Sequence, residues 1–193
     1  MSRFGTDAPG HPEDAPGDPE SVARVICLRM LSTRPRTRAQ LAAGLARGGV
    51  ADEVAARVLE RFAEVGLIDD EAFARAWVDS RHHGRGLARR TLATELRRRG
   101  VDEPTVRAAV DGLDATVEDG TARALVARRL GSTRGLAPQA RARRLVGMLA
   151  RKGYPPGTAF RVVREALERE GDDLDGEWWP EHSEDEPQAD VEP

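Results

Sequence analysis

Residues 66–101 read GLIDDEAFARAWVDSRHHGRGLARRTLATELRRRGV, and this stretch decides the fold. In its first half the apolar residues Phe73, Ala76 and Trp77 recur at three- and four-residue spacing, as the buried face of a helix requires. Asp69 stands at the start of this pattern, where an N-cap residue is expected. The first half therefore predicts one amphipathic helix, which ends near Gly84.

A second helix is predicted after the turn Gly84-Arg85-Gly86. Leu92 and Leu96 are four residues apart on it, and three arginines followed by Gly100 are typical of a helix C-terminus. The predicted core of the whole stretch consists of Phe73, Trp77, Leu92 and Leu96.

The same pattern recurs on both sides of this stretch. A shift of 51 relates Leu41, Leu45, Gly49 and Val50 to Leu92, Leu96, Gly100 and Val101, and a shift of 53 relates these to Leu145, Leu149, Gly153 and Tyr154. Three helices are predicted in each copy, over 20–33, 37–48 and 52–65, then 70–83, 87–99 and 103–112, then 116–130, 138–152 and 156–170. No segment has the alternation of a strand. The sequence predicts an all-α fold, a tandem array of three three-helix repeats that forms an elongated, curved body.

Charge divides the chain into a basic body and two acidic tails. Residues 1–20 carry a net charge of −4 and residues 171–193 a net charge of −10, whereas residues 21–170 carry +11. The tails have too little apolar content to offset the entropy of ordering, so we expect both to be disordered. The predicted repeats occupy 21–68, 69–114 and 115–170.

Arginines on the second predicted helix point away from its core face. With Leu92 at zero and about 100° per residue, Arg97, Arg90 and Arg98 fall near 140°, 160° and 240°. Between Arg81 and Arg99 seven arginines accompany a single acid, Glu95. We therefore predict a polyanion-binding surface, since arginine engages phosphate or carboxylate with two hydrogen bonds. Its residues are Arg81, Arg85, Arg89, Arg90, Arg97 and Arg98, with Arg143 and Arg151 at the corresponding places of the third repeat.

Catalytic and metal-binding chemistry finds no support in the sequence. The adjacent His82 and His83 diverge by about 100° on a helix and are expected at its exposed end. Asp69 and Asp70 stand where helix-capping acids belong. With no phosphate loop and no nucleophile-base pattern, we expect no enzyme, no metal and no cofactor. The single Cys27 is expected to be buried, and the lack of a signal peptide or membrane span predicts a cytoplasmic protein, which we expect to be a monomer.

Several short motifs in the deciding stretch occur together in one known family. They are Gly66-Leu67-Ile68-Asp69-Asp70, Phe73-Ala74, Trp77-Val78, Ser80-Arg81, Gly84-Arg85-Gly86, Glu95-Leu96 and Gly100-Val101. In this order they resemble the signature of the RecX family, bacterial regulators of the recombinase RecA. The resemblance implies a modulator, expected to be a negative regulator, that binds in the groove of the RecA-DNA filament. It would limit filament growth, ATP hydrolysis and strand exchange in DNA repair and the SOS response, with the RecA filament and its single-stranded or duplex DNA as partners.

A second interpretation is a winged-helix-like transcriptional regulator that binds DNA. Residues 37–78 contain TRAQLAAGL, then a predicted helix, then GLIDD, which is similar to the helical part of such regulators. The missing hairpin wing counts against it. A regulator of this kind should bind a specific operator, whereas the modulator should act only with RecA.

Overall fold

The computed structural model describes residues 18–172, and in this range the chain folds into nine α-helices and one short 3-10 turn, with no strand. The helices are α1 (Pro19–Leu31), α2 (Arg38–Arg47), α3 (Asp52–Glu64), α4 (Asp70–Arg85), α5 (Arg89–Arg97), α6 (Glu103–Asp111), α7 (Ala115–Leu130), α8 (Pro138–Arg151) and α9 (Pro156–Glu168). The predicted all-α fold is confirmed, and each helix begins and ends within two residues of its predicted bounds. The helices form three successive repeats, α1–α3, α4–α6 and α7–α9.

The first helix begins earlier than the predicted tail allows. Asp18 is the N-cap of α1, accepting a hydrogen bond from the backbone N–H of Ser21 at 3.2 Å, and Pro19 and Glu20 are already helical. An N-terminal tail therefore extends no further than residue 17. At the other end, Gly171 and Asp172 belong to the predicted C-terminal tail but form an ordered turn, in which the Asp172 N–H donates to the Leu167 carbonyl at 3.1 Å, so the prediction of disorder is wrong for these two residues. The disorder predicted for the rest of both tails concerns residues that lie outside the described range.

The helices are distributed over two units, each with its own apolar core. One unit comprises the residues up to Val78 together with Ala93–Val110, and the other comprises Asp79–Leu92 together with the residues from Asp111 onward. The first core includes Cys27 at full burial, and burial raises the pKa of its thiol. The predicted buried, unpaired cysteine is confirmed. The second core is built mainly by α7, α8 and α9.

The middle helix of each repeat ends in the same glycine turn. Gly49, Gly100 and Gly153 have φ angles of 72°, 78° and 90°, a region that L-residues with a Cβ avoid. The residue after each glycine donates its N–H to the carbonyl of the buried leucine four places before the glycine. These bonds are Val50 to Leu45 at 3.1 Å, Val101 to Leu96 at 3.3 Å and Tyr154 to Leu149 at 3.2 Å. The turn is a Schellman motif, and its recurrence confirms the predicted repeat.

In the first unit this turn docks on the start of the preceding repeat's middle helix. The Thr37 hydroxyl donates to the carbonyl oxygen of Arg99 at 2.6 Å, and Gly100 lies so close to Ala39 that a Cβ would overlap it. Thr37 also forms the predicted capping box, since its oxygen accepts the N–H of Gln40 and its own N–H donates to the Gln40 side chain.

The second unit contains the same arrangement one repeat further on. Ala88 corresponds to Thr37, and its N–H donates to the carbonyl oxygen of Lys152 at 2.9 Å. Gly153 lies against Thr91 so closely that a Cβ would overlap its hydroxyl and backbone nitrogen. We call this contact, a glycine turn seated on a helix start, the turn junction.

Alanine at Gly153 should destabilise the protein more than alanine at Gly49. Both substitutions place a Cβ at positive φ, which costs about 1–2 kcal/mol, but only the Gly153 Cβ meets a neighbour. We expect a loss of about 1–2 kcal/mol for Gly49→Ala and roughly 2–4 kcal/mol for Gly153→Ala, measured by urea unfolding. Equal losses would contradict the turn junction.

Valine at Thr37 should cost about 2 kcal/mol of unfolding free energy, because it removes a helix cap and leaves the Arg99 carbonyl without its donor. Serine keeps the hydroxyl and loses only a methyl group, so Thr37→Ser should cost about 0.8 kcal/mol. Urea unfolding followed by circular dichroism measures both. A valine variant as stable as the wild type would show that the Thr37 hydroxyl does not stabilise the junction.

Candidate polyanion-binding site

The turn between α4 and α5 is held in place by a buried histidine. His82 is fully buried, with Nδ1 2.9 Å from the Leu87 carbonyl oxygen and Nε2 2.9 Å from the Thr121 hydroxyl. The prediction that both histidines lie at the exposed end of the helix is wrong for His82, while His83 is exposed. The four-residue spacing Ala74, Val78, His82 continues the buried face of α4 and could have revealed this.

Two further contacts fix the same turn in the second unit. Gly86 has φ 61°, and a Cβ there would press on the Leu125 side chain. The Tyr154 hydroxyl donates to the Gly86 carbonyl at 3.3 Å, and burial raises the pKa of that hydroxyl. Leu87 and Ala88 are buried behind it. The turn is therefore a rigid platform for the cations around it.

Three cations crowd together at this platform. Lys152 Nζ donates to the carbonyl oxygen of Arg85 at 2.6 Å, which satisfies the C-terminal end of α4. The pKa of Lys152 is lowered by burial and by the positive charges of Arg128 and Arg85. Both arginines are exposed, and neither forms an ion pair with another residue in the range 18–172. We call Arg85, Arg128 and Lys152 the cationic cluster.

Arg128 and Lys152 were not predicted as binding residues from the sequence. Lys152 is the only lysine in the chain, and every other basic side chain of this kind is an arginine. This exception could have drawn attention to position 152. Arg128 lies in the last turn of α7, where a cation is ordinary, so nothing in its local sequence distinguishes it.

The predicted binding arginines lie in both units. Some are exposed and others are half-buried. Arg97 and Arg98 belong to the first unit, and the others belong to the second. The exposed ones are Arg85, Arg90, Arg97, Arg98, Arg143 and Arg151, whereas Arg81 and Arg89 are half-buried. Arg98, Arg143 and Arg151 form no ion pair within the described part of the chain.

Two of the predicted arginines are used inside their own unit. Arg97 binds the Glu103 carboxylate with two hydrogen bonds of 2.7 Å. The Arg89 guanidinium lies 3.3 Å from Glu118 and donates to the Leu113 carbonyl oxygen. These contacts hold helices together, so both arginines are less suited to a partner than their exposed neighbours.

The signature aromatics lie at the edge of the first core. Trp77 is half-buried, stacks on Phe73 with 5.8 Å between ring centroids, and donates from Nε1 to the Glu95 carboxylate at 2.9 Å. The Arg99 guanidinium covers its ring at 3.6 Å, a cation-π contact. The predicted core is thus fully buried at Leu92 and Leu96 and half-buried at Phe73 and Trp77.

The paired acids of the signature cap helices. Asp69 Oδ1 accepts the Ala72 N–H at 2.7 Å, which confirms the predicted cap of α4. Asp70 Oδ1 accepts the Arg38 N–H at the start of α2 at 2.9 Å, and burial raises the pKa of this carboxyl group. Among residues 18–172 no group of three His, Cys, Asp or Glu side chains could hold a metal ion.

The fold and the site define a helical-repeat protein with an exposed cationic surface. Comparison with known proteins identifies its family. Family models match three segments: the first three-helix domain of RecX over residues 23–62, the second over 69–110 and the third over 118–163. The chain belongs to the RecX family of regulatory proteins.

Relatives from two bacteria cover most of the chain. The regulatory protein RecX of Thermobifida fusca is 60% identical over 171 residues, which span 89% of this chain and 92% of that protein. The protein of the same name from Streptomyces coelicolor is 59% identical over 162 residues, spanning 84% and 86%. The crystal structure of RecX from Lactobacillus salivarius shares the fold, with a TM-score of 0.72, 16% identity and coverage of 77% of this chain and 96% of that one. In the described range, none of the helices has the length and apolarity to cross a bilayer.

Binding of a polyanion should be accompanied by proton uptake at Lys152 in alkaline solution. A bound anion offsets the repulsion from Arg85 and Arg128 and returns the lowered pKa of Lys152 toward its ordinary value of about 10.4. Affinity for a heparin oligosaccharide should therefore fall as pH rises from about 8 to about 10.5. The Lys152→Met variant should show a flatter pH dependence. Identical slopes in the two proteins would exclude Lys152 from the site.

Proposed function

We propose that this chain is a negative modulator of RecA that binds in the groove of the RecA-DNA filament. By contacting neighbouring protomers it limits filament growth, ATP hydrolysis and strand exchange during DNA repair and the SOS response. Membership of the RecX family carries this proposal, because all three three-helix domains are matched in order. The role is that of a cytoplasmic binding protein, active as a monomer, with no catalytic step of its own.

The electrostatics of the described surface support a polyanionic partner. Like charges at Arg85, Arg128 and Lys152 repel one another, and this repulsion adds to the larger effect of burial in lowering the pKa of Lys152. An anionic group placed among them would remove this cost. A filament that carries a DNA backbone offers such groups at regular intervals, and cation release makes its binding dependent on salt.

The repeated sequence supports binding to a repeated partner. Arg98 and Arg151 occupy the same place in successive repeats, two residues before Gly100 and Gly153. Both are exposed, and neither forms an ion pair in the described range. Arg90 and Arg143 also correspond to each other and are exposed. We infer that the binding residues are Arg85, Arg90, Arg98, Arg128, Arg143, Arg151 and Lys152, which bind DNA phosphates or RecA carboxylates. Arg89 and Arg97 contribute mainly by holding the helices that carry them. Arg81, which is half-buried, stays a predicted member of the surface.

The winged-helix interpretation gains no observation in its favour. A wing is a β-hairpin, and residues 18–172 contain no strand. The similarity of residues 37–78 to such regulators is accounted for by three-helix packing alone.

Changing Arg85, Arg98 and Arg151 together to alanine should abolish inhibition of RecA without unfolding the protein. All three side chains are exposed, so their loss removes contacts to the partner and leaves the cores intact. The assay is single-stranded-DNA-dependent ATP hydrolysis by the cognate RecA, with substoichiometric amounts of this protein. We expect half-inhibition to require at least about tenfold more of the variant than of the wild type.

A matched variant separates position from net charge. Arg29, Arg61 and Arg107 are also exposed, and their change to alanine removes the same charge from α1, α3 and α6. This control should inhibit like the wild type. If both triple variants fail equally, the assigned residues are wrong although the function stands. If the wild type leaves hydrolysis unchanged, the proposed function is wrong.

A further inference from the structure

Within residues 18–172 the turn junction occurs twice, on the start of α2 at Thr37 and on the start of α5 at Ala88. Both residues are fully buried. The corresponding residue at the start of α8 is Arg141, from the same shift of 53. It is only 4% exposed, although it is charged.

Residues at the end of α9 cover Arg141 instead. Its guanidinium donates to the carboxylates of Glu170 and Asp172, and its Nε donates to the Thr133 hydroxyl at 3.2 Å. Burial opposes the charge of Arg141, but the two carboxylates outweigh that effect and raise its pKa. We call these contacts the Arg141 network.

The segment that forms the Arg141 network is itself a glycine turn. Gly171 has φ 86°, and the Asp172 N–H donates to the Leu167 carbonyl oxygen at 3.1 Å, as in the three turns that end α2, α5 and α8. The chain therefore places its own last turn on the start of α8, where a following repeat would have placed one.

The first repeat presents the opposite situation, a turn on which no residue of the range 18–172 docks. A Cβ added at Gly49 would meet no atom within 4 Å, whereas at Gly100 and Gly153 it would overlap a neighbour. Gly48 corresponds to Arg99 and Lys152, whose carbonyls accept the junction hydrogen bonds, and its carbonyl accepts none from a residue in the range 18–172. Gly48 and Gly49 are exposed.

We propose that the two ends of the chain are complementary, and that the Arg141 network prevents copies of the protein from joining end to end. The open turn at Gly49 of one copy fits the start of α8 in a second copy, as Gly100 fits the start of α2 within one chain. Such a contact joins different surfaces of the two copies, so it would produce open chains of molecules rather than closed dimers.

One further arginine reinforces the block. Ala39 and Thr91 are the small residues against which Gly100 and Gly153 rest. The residues that correspond to them in the third repeat are Arg143 and Arg144, both exposed. Arg144 takes the place of Gln40 and Thr91, so its longer side chain obstructs a turn, and its charge repels the Arg47 that precedes the open turn. Arg143 corresponds to Arg90, beside which the Gly153 turn docks, so Arg143 alone is no obstacle.

The experiment opens the start of α8 and asks whether the protein then associates. The variant R141T/R143A/R144T gives α8, at each of these three positions, the small residue found at one of the other two helix starts, namely Thr37, Ala39 and Thr91. Sedimentation velocity from roughly 1 to 100 μM should show the wild type at the mass of one chain, 21.0 kDa. We expect the weight-average mass of the variant to rise at least about twofold over this range.

A substitution at the other end provides the control. Asparagine tolerates positive φ, and the space around Gly49 is open, so G49N should fold normally. Its side chain would occupy the place that a docking helix start needs. Adding G49N to the opened variant should therefore restore the mass of one chain.

A second opened variant guards against loss of folding. E170Q/D172N keeps Arg141 and the shape of the turn but removes both charges that hold the guanidinium in place. It should associate more weakly than the triple variant, and G49N should again reverse this. The proposal fails if the opened variants retain their helical circular dichroism and remain at the mass of one chain. It also fails if G49N leaves their association unchanged.

Discussion

The rest of the structure depends on one constraint, a glycine at positive φ that follows two buried leucines at the end of each middle helix. Gly49, Gly100 and Gly153 end the middle helices, and only glycine reaches this conformation without strain. The same missing Cβ lets Gly100 and Gly153 rest on a neighbouring helix start. One residue type thus ends a helix and makes room for the next repeat.

Charge has two distinct uses in this protein. Many arginines, such as Arg97 and Arg141, form ion pairs that connect helices within one unit. Others are exposed beside further cations, and at Lys152 burial together with the charges of Arg128 and Arg85 lowers the pKa, so the charged form has a cost in the free chain. A protein keeps such a cost where a partner of opposite charge offsets it, and this is why the cationic cluster, rather than the total number of arginines, supports the proposed function.

Helices, caps and repeats could be predicted because their signals are local. The capping box at Thr37 and the cap at Asp69 depend on residues three positions apart, and the repeat follows from leucine and glycine spacing. Burial of His82 could not be assigned with the same certainty, because its second partner, Thr121, is 39 residues away in sequence. Arg89 looked like a surface residue for the same reason. Its counter-charge, Glu118, is brought to it by the packing of α7.

The Thr37 hydroxyl links two events that are separate in most helical proteins. Its oxygen caps α2 while its hydrogen binds the Arg99 carbonyl, so the start of one repeat is complete only when the end of the next middle helix has formed. A repeat of this kind gains little free energy when it folds without its neighbour. Folding of neighbouring repeats within the unit should therefore be cooperative, with most of the stabilisation residing in the nearest-neighbour coupling rather than in each repeat's intrinsic free energy.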